Sequence, residues 1–190
     1  MRPVVCETPE QVRMAQALRY EVFCLEKDWI EPASCDNGLE TDEYDEKAVH
    51  FLVLDDDSDT ALGTCRLLLG SCQTLPAASF LDLAGLGIEP IHSCEVSRLA
   101  SLRSSRANNL GVFLGLMQAM SWWGAGTDFT SLLSVADLPL HKLMTRIGMP
   151  FTAVGDPVIY LGSECIPAVI DVAGTGELLA RIGIRRVEAV

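Results

Sequence analysis

Apolar and polar positions along the chain follow two different periods. Apolar residues recur at helical spacing over residues 108–123, which predicts the longest helix, and a shorter helical pattern covers residues 138–147. Thr8 followed by Pro9 is typical of a helix N-terminus, with Thr8 as the N-cap. Strand-like runs cover residues 3–7, 50–54, 61–69, 94–101, 129–135, 157–161 and 168–172. This order of elements predicts a mixed, mostly antiparallel α/β (α+β) sheet flanked by helices.

Two connections between these elements are informative. Residues 26–45 show no hydrophobic period and contain Pro32 and the pair Asn37-Gly38, so we expect a long ordered loop, which is usually a functional feature. Residues 50–54 and 61–69 are joined by a turn-rich segment and are expected to form an antiparallel hairpin. The chain has 190 residues without an internal repeat or linker, which predicts a single domain over residues 1–190.

The charge of the chain is unevenly distributed. Residues 21–59 contain fourteen acids and two lysines, which equals the net charge of −12 of the whole chain. Nucleic-acid binding is therefore not expected, because it needs a clustered basic face. Arg98, Arg103 and Arg106 lie in residues 96–127, where there is no acid. That stretch is either a solvated basic patch or a docking surface for an acidic partner.

The composition and the cysteine spacing argue against a membrane span, a signal peptide, a disulfide and a metal site. The longest apolar-leaning stretch, residues 110–120, is shorter than the roughly 18 residues that a membrane span needs. The N-terminus carries no signal-peptide pattern, so we expect a cytoplasmic protein. The seven cysteines have no CxxC spacing and are odd in number, so we expect neither a disulfide nor a metal site and interpret them as small buried residues.

Common catalytic motifs are absent from the sequence. There is no GxSxG, GxxxxGK[ST], HExxH or GxGxxG pattern, and the three histidines have no partner at ligand or triad spacing. Charged residues do occur in apolar settings, namely Arg19, Arg66, Glu95 and Arg98. A charge inside a strand costs several kcal/mol unless it is paired or solvated. These residues are therefore either structural ion pairs or parts of a chemical site.

The order of several short motifs carries a family resemblance. The motifs are Arg19-x3-Phe23, Trp29, the run Glu40-Thr-Asp42-Glu-Tyr44-Asp45, Arg66-Leu-Leu, Phe80 and Glu95-Val-Ser-Arg98. Over about residues 4–102 the chain resembles the autoinducer synthase superfamily. That superfamily comprises acyl-homoserine-lactone synthases, N-acyl amino acid synthases and PEP-CTERM/exosortase-associated acyltransferases. The resemblance implies one three-layer, GNAT-like acyltransferase domain over residues 1–190.

The resemblance also implies the reaction and the site. A fatty acyl group would move from the phosphopantetheine thioester of acyl carrier protein to a primary amine, with no permanently bound cofactor. The implied catalytic residues are Glu95, Arg98, Arg66 and Asp45, and the implied substrate-binding residues are Arg19, Phe23, Trp29, Asp42 and Phe80. Amide formation needs a neutral amine, and Glu95 suits the role of base, directly or through water. Because Glu95 and Arg98 are three residues apart, both can face one site only if the strand is bulged between them.

The donor follows from a missing motif. Acetyltransferases that use coenzyme A hold its pyrophosphate on a glycine-rich loop, and residues 103–111 lack that pattern. Acyl carrier protein is therefore expected to be the donor rather than acyl-CoA, with Arg103 and Arg106 as its docking residues. The apolar stripe of the helix over residues 108–123 consists of Leu110, Phe113, Leu114, Met117 and Met120. The stripe is either ordinary core or, at Leu114 and Met117, the wall of an acyl pocket.

The acceptor amine is open between two branches of the superfamily. The lactone branch, whose acceptor is S-adenosylmethionine, usually has a proline soon after the arginine that corresponds to Arg66, where this chain has Leu69-Gly70. We therefore expect an amino-acid-type acceptor, with S-adenosylmethionine and a quorum-sensing lactone product as the alternative. Further alternatives are a CoA-dependent N-acetyltransferase and a non-catalytic module that binds acyl groups or carrier protein.

Overall fold

A computed structural model describes residues 1–102, 108–125 and 127–184. These described residues form eight strands and four α-helices in the following order: β1 (Arg2–Val5), α1 (Pro9–Arg19), β2 (Ala48–Leu54), β3 (Ala61–Leu69), β4 (Ser93–Ser101), α2 (Asn109–Gly124), β5 (Ser131–Asp137), α3 (Leu138–Arg146), β6 (Phe151–Ala153), β7 (Val158–Tyr160), β8 (Ser163–Asp171) and α4 (Val172–Arg181). The arginines Arg103 and Arg106 lie outside the described residues.

The strands form a mixed sheet. Its order is β1-β2-β3-β4-β5-β8-β6, with β7 paired to β8. Strand β1 is antiparallel to β2, β4 is parallel to β5, and β8 is antiparallel to β5, β6 and β7. Strands β2 and β3 are joined by a short turn in which the Asp55 N–H donates to the Thr60 carbonyl over 2.9 Å. The mixed, mostly antiparallel sheet predicted from the sequence is therefore confirmed.

The chain divides into two compact units. Unit 1 contains Met1–Arg66 and Arg98–Trp123, and unit 2 contains Leu67–Ser97 and Gly124–Val190. Strands β3 and β4 each contribute residues to both units.

In unit 1, α1 begins as the sequence predicts. The Thr8 hydroxyl accepts the Gln11 N–H at 3.2 Å, and the Gln11 side chain accepts the Thr8 N–H, which is a capping box. Helix α1 passes directly into a π-helical segment, Tyr20–Glu26. The loop that follows contains the short 3₁₀ turns Pro32–Ser34, Asp36–Gly38 and Asp45–Lys47. The expected long ordered loop is thus a chain of tight turns.

Helix α2 lies close to the strands of unit 1 because of two glycines. A Cβ atom on Gly63 would come within 2.2 Å of Val112 Cγ1, and a Cβ atom on Gly115 within 2.8 Å of Val53 Cγ2. Only residues without a side chain allow this approach. Met117 is buried as the sequence predicts, whereas Leu114 is only partly buried, so the buried face is rotated from the predicted stripe. The buried residues of α2 are Val112, Phe113, Leu116, Met117, Ala119 and Met120.

In unit 2, β8 pairs with three strands and each of two helices begins at an aspartate. The Asp137 side chain accepts the Leu140 N–H at the start of α3, and the Asp171 side chain accepts the Ala173 and Gly174 N–H groups at the start of α4. Helix α4 and the short strand β6 are absent from the sequence prediction. Two glycines in the first turns of α4 lower its intrinsic helix propensity. The Asp171 N-cap offsets this loss of stability.

Residues 1–102, 108–125 and 127–184 contain neither a membrane-spanning helix nor a metal-binding cluster. No helix there is long and apolar enough to cross a membrane. No cluster of three or more His, Cys, Asp or Glu side chains in those residues is arranged to hold a metal ion. All seven cysteines lie in the described residues, and each is in the thiol form.

Candidate active site

Six charged side chains meet inside unit 1. We call them the ionic cluster, and they are Arg19, Glu40, Asp42, Asp45, Arg66 and Arg98. Arg19 ends α1, the three carboxylates come from the loop between α1 and β2, Arg66 lies on β3 and Arg98 lies on β4. Three guanidinium groups and three carboxylates leave the cluster without net charge when all six are ionised.

Arg19 joins the helix end to two points of the loop. Its Nη1 and Nη2 donate to the two carboxylate oxygens of Asp45 at 2.7 and 2.9 Å, in the forked geometry of a bidentate pair. Its Nε donates to the Glu40 carboxylate, and Nη2 also donates to the Glu40 backbone carbonyl at 2.7 Å. The path of the loop is therefore fixed by one side chain.

Arg66 and Arg98 complete the cluster from the sheet. Arg66 Nη1 and Nη2 donate to Asp42 Oδ1 and Oδ2 at 2.5 and 2.6 Å, and Nη1 also donates to Asp45. Arg98 donates from Nε to Glu40 Oε1 at 3.0 Å and from Nη2 to Asp42 Oδ2 at 2.9 Å. Each carboxylate therefore receives donors from two arginines.

The members of the cluster differ in their access to solvent. The Arg19 and Arg66 side chains are 1% exposed and that of Asp45 is 9% exposed, whereas that of Asp42 is 20% exposed. Asp42 therefore lies at the solvent-exposed edge of the cluster. Apolar residues of similar volume often stabilise a core as well as a buried ion pair does, so the array is not explained by stability alone.

The arginines keep the aspartates ionised. Burial by itself would raise the pKa values of Asp42 and Asp45, but the hydrogen bonds and positive charges of the arginines outweigh burial and hold both below their usual range. The same carboxylates raise the pKa of Arg66 against the effect of burial. Asp42, Asp45 and Arg66 are therefore charged near neutral pH.

The backbone at Arg98 departs from regular strand geometry. Its φ is 53°, in the left-handed region that side-chain-bearing residues rarely occupy. The sequence predicts a bulge between Glu95 and Arg98 if both serve one site, and that shared site stays a prediction. Positive φ at a residue that is not glycine costs energy and occurs often at functional positions.

Two aromatic residues expected at the site stack on each other in unit 1. The rings of Phe23 and Trp29 are 5.9 Å apart and nearly parallel, at 11°. The Phe23 carbonyl accepts the N–H groups of Trp29 and Ile30 at 2.8 and 3.2 Å. The Lys27 Nζ lies 3.8 Å from the centre of the Trp29 ring. The π-helical segment and the start of the loop are thus held together as one structural element.

In unit 2, Glu95 and Phe80 are linked through the peptide groups of Ala77. The buried Glu95 carboxylate accepts the Ala77 N–H at 2.8 Å, and the Phe80 N–H donates to the Ala77 carbonyl at 2.9 Å. The Phe80 ring makes an edge contact with Tyr160, with 5.4 Å between ring centres. One carboxylate oxygen of Glu95 is therefore held in a defined position.

Sequence reasoning did not assign a site role to Glu40 or His50. Glu40 is 2% exposed and bridges Arg19 and Arg98, but it is one of fourteen acids between residues 21 and 59. His50 is 3% exposed, and its Nε2 lies 3.1 Å from the Asp45 carbonyl oxygen. A signal for Glu40 was present, because it opens the motif run that carries the family resemblance.

Sequence comparisons with known proteins also identify acyltransferases. A family model for an acetyltransferase (GNAT) domain matches residues 18–113. The acyl-homoserine-lactone synthase of Aliivibrio fischeri is 30% identical over 157 residues, which is 80% of each chain. The chain belongs to the acyl-homoserine-lactone synthase family. A probable acyl-homoserine-lactone synthase of Sinorhizobium fredii is 26% identical over 185 residues, covering 92% of this chain and 83% of the relative.

Several solved structures share the fold of this chain. TofI, in a ternary complex with an inhibitor and MTA, matches with a TM-score of 0.74 at 25% identity, over 95% of this chain and 97% of that chain. BjaI, a CoA-dependent acyl-homoserine lactone synthase with SAM and isopentyl-CoA, matches with a TM-score of 0.71 at 23% identity, over 95% and 86%. FeeM, an N-acyl amino acid synthase, matches with a TM-score of 0.67 at 18% identity, over 95% of both chains.

These comparisons confirm the predicted superfamily and the GNAT-like α/β fold, and the chain is an acyltransferase. They change the balance on the acceptor. The sequence favoured an amino-acid-type acceptor, but the relatives named above are lactone synthases and support the alternative better. The fold match to FeeM shows that the same architecture also serves an N-acyl amino acid synthase.

Proposed function

We propose that the chain makes an acyl-homoserine lactone by moving a fatty acyl group from a phosphopantetheine thioester to the α-amine of S-adenosylmethionine. The observation that carries the proposal is the 30% identity over 80% of the chain with an acyl-homoserine-lactone synthase. The intact ionic cluster in the part of the chain with the strongest motif resemblance supports it.

The reaction sequence defines what the residues must do. The amine nitrogen attacks the thioester carbonyl, the C–S bond breaks, and the pantetheine thiol leaves as the amide forms. The ammonium group must first lose a proton, so a base is needed. The carboxylate oxygen of the acylated product then attacks its γ-carbon, and the C–S⁺ bond breaks to give the lactone and neutral methylthioadenosine.

We assign the base to Glu95, acting directly or through water. Its carboxylate is buried, and the Ala77 N–H fixes one oxygen at 2.8 Å, so the group has a defined orientation before substrate arrives. Arg66, Arg98 and Asp45 are assigned to the catalytic set with it by their match to the family motifs. An oriented carboxylate needs no reorganisation at the moment of proton transfer.

The ionic cluster is assigned to the acceptor. Asp42 is its most exposed carboxylate and suits an approaching ammonium or sulfonium charge, while Arg66 and Arg98 hold Asp42 in place from behind. In the structure both oxygens of Asp42 already accept hydrogen bonds, so the acceptor would add to this network rather than build it. Arg19 fixes the same loop, and Phe23, Trp29 and Phe80 would supply aromatic surface.

We infer that the donor is acyl carrier protein. The chain lacks the glycine-rich pyrophosphate motif in residues 103–111, and residues 96–127 contain basic residues but no acid. Changing Arg103 and Arg106 together to Glu should lower kcat/KM for acyl carrier protein about tenfold at low salt and leave turnover of acyl-CoA unchanged. Arg146→Glu, at an exposed position of α3, is the control. Equal loss with both donors would contradict carrier-protein docking.

The deciding experiment is a product assay. The purified chain is incubated with octanoyl carrier protein and S-adenosylmethionine, and the products are separated by mass spectrometry. We expect acyl-homoserine lactone and methylthioadenosine in equal amounts. The second candidate, an N-acyl amino acid synthase, is favoured by Leu69-Gly70 in place of the usual proline. N-acyl amino acid formed from an amino acid mixture, without methylthioadenosine, would establish that candidate instead.

A further inference from the structure

Two cysteines that are distant from any recognised motif lie side by side in unit 1. The Sγ atoms of Cys24 and Cys35 are 3.6 Å apart. Cys24 lies in the π-helical segment Tyr20–Glu26, and Cys35 lies between the 3₁₀ turns Pro32–Ser34 and Asp36–Gly38. Cysteine spacing along the chain does not indicate a pair, because the contact arises only when the loop turns back on the helix.

The two thiols differ in access. Cys24 is 3% exposed, whereas Cys35 is partly exposed. Burial, the neighbouring Cys35 thiol and the negative charge of Glu40 raise the pKa of Cys24 to about 12. A thiol that is buried and protonated reacts slowly with solutes, so a small oxidant would meet Cys35 first.

We propose that Cys24 and Cys35 are an oxidation site that closes reversibly into an intramolecular disulfide when the protein meets a hydroperoxide. The S–S bond is about 2.0 Å long, so the sulfur atoms need to approach by only about 1.6 Å. Cys35 lies between two tight turns in a loop, a location where such a small movement is possible.

The chemistry is balanced in two steps. The Cys35 sulfur attacks a peroxide oxygen and the O–O bond breaks, so that Cys35 becomes a sulfenic acid; the other oxygen takes the thiol proton and leaves as water from hydrogen peroxide, or as an alcohol from an organic hydroperoxide. The Cys24 sulfur then attacks the Cys35 sulfur, the S–O bond breaks, and the oxygen takes the Cys24 proton and leaves as water. Two thiols are oxidised and one hydroperoxide is reduced. The contact distance makes the second step effectively unimolecular, which compensates for the low thiolate fraction of Cys24.

The disulfide would restrict the mobility of residues 24–35. The disulfide encloses residues 24–35, and this ring contains Trp29, whose indole stacks on Phe23 next to Cys24. The charge of Glu40, a member of the ionic cluster, contributes to the raised pKa of Cys24. Oxidation would therefore restrain the aromatic segment, independently of which acceptor the enzyme uses.

The sequence allows a direct test. Trypsin cleaves after Arg19, Lys27 and Lys47, which places Cys24 and Cys35 in separate peptides that contain no other cysteine. The folded, reduced protein is treated with hydrogen peroxide, remaining thiols are alkylated, and the digest is analysed without reductant. We expect the peptide of residues 20–27 linked to that of residues 28–47, and we expect dithiothreitol to reverse the link.

Variants and an unfolded sample make the test specific. Cys72→Ser, which removes an exposed thiol, should leave the link unchanged. Cys24→Ser should leave Cys35 as a sulfenic acid that a dimedone probe traps, and Cys35→Ser should leave Cys24 unmodified. In urea the preference for this pair should disappear. The proposal is overturned if folded protein accumulates sulfinic or sulfonic acid at Cys35 with Cys24 reduced, or if the link forms equally well in urea.

Discussion

Arg19 and Asp45 are joined by two parallel hydrogen bonds, from Nη1 to Oδ1 at 2.7 Å and from Nη2 to Oδ2 at 2.9 Å. The pair connects the last residue of α1 with the turn that precedes β2. Both side chains are at most 9% exposed, so neither charge can be left to water if its partner is removed. Loss of either partner would therefore leave a buried charge without its main counter-charge.

Removing the guanidinium should therefore unfold the protein more readily. Arg19→Met keeps most of the side-chain volume but leaves the carboxylates of Glu40 and Asp45 buried without it, at a cost of about 3–5 kcal/mol. Urea unfolding at neutral pH measures the change. Arg13→Met, on the exposed side of the same helix, should change stability by less than about 0.5 kcal/mol. A loss below about 1 kcal/mol in Arg19→Met would show that the cluster is solvated in solution.

Stability should also respond to pH through His50. Burial lowers the pKa of His50, and the positive charges of Arg19 and Arg66 lower it further. The hydrogen bond with the Asp45 carbonyl raises it, but by less. In the unfolded chain a histidine takes up a proton below about pH 6.5, and the folded state resists that proton. The free energy of unfolding should thus fall as the pH drops below about 6.5, because the unfolded chain then binds a proton that the folded state binds only at lower pH.

The variant His50→Gln isolates that contribution. The glutamine amide can still donate to the Asp45 carbonyl, but it does not titrate, so the acid slope should flatten. The parent protein is the reference for the slope. Urea midpoints at several pH values make the comparison. Asp42 and Asp45 act in a different window, because their lowered pKa values stabilise the fold above about pH 4 and that stability is lost only below it. An unchanged slope in His50→Gln would contradict the assignment.

The role of Glu95 can be separated from its structural hydrogen bond. In Glu95→Gln the amide oxygen can still accept the Ala77 N–H, so melting should be close to that of the parent protein. If Glu95 is the base, kcat should fall by about 10²–10⁴. Glu89→Gln, at an exposed position shortly before β4, is the matched control. Parent-like turnover with unchanged melting would remove Glu95 from the mechanism.

The two proposed acyl-pocket residues should behave differently. Met117 is 6% exposed and lies on the buried face of α2, so Met117→Trp should overpack the core and cost about 1–3 kcal/mol. Leu114 is partly exposed, and Leu114→Trp should cost little stability. If Leu114 borders the acyl chain, its enlargement shifts products toward shorter acyl groups, since each buried methylene contributes about 0.8 kcal/mol. Product length and melting temperature are measured together. An unchanged product profile in Leu114→Trp would place the pocket elsewhere.

Local rules predicted a large part of the fold. The capping box at Thr8, the helix predicted over residues 108–123 and the strands on either side of the turn at residues 55–60 follow from side-chain chemistry within a few positions. Helix α4 was missed because Gly174 and Gly176 weaken its propensity, and strand β6 is too short to show a period. These elements depend on neighbours that a sequence window does not contain.

The ionic cluster could also be predicted only in part from the sequence. Arg19, Arg66 and Arg98 could be selected from the sequence because a charge in an apolar run demands a partner. Glu40 could not be selected on charge, since the acidic loop contains many equivalent carboxylates. Its burial is set by tertiary structure, including the hydrogen bond from its own N–H to the Gln16 carbonyl at 3.1 Å. The positive φ of Arg98 likewise has no local sequence signal.

The wide sequence separation within the ionic cluster has a consequence for folding kinetics. Arg98 and Glu40 are 58 positions apart, and Arg66 and Asp42 are 24 apart, so each contact closes a long loop before it gains any energy. The array can therefore assemble only after helix and strands are already in register. During refolding, recovery of catalytic activity should lag behind recovery of helical circular dichroism, because the site is among the last parts of unit 1 to form.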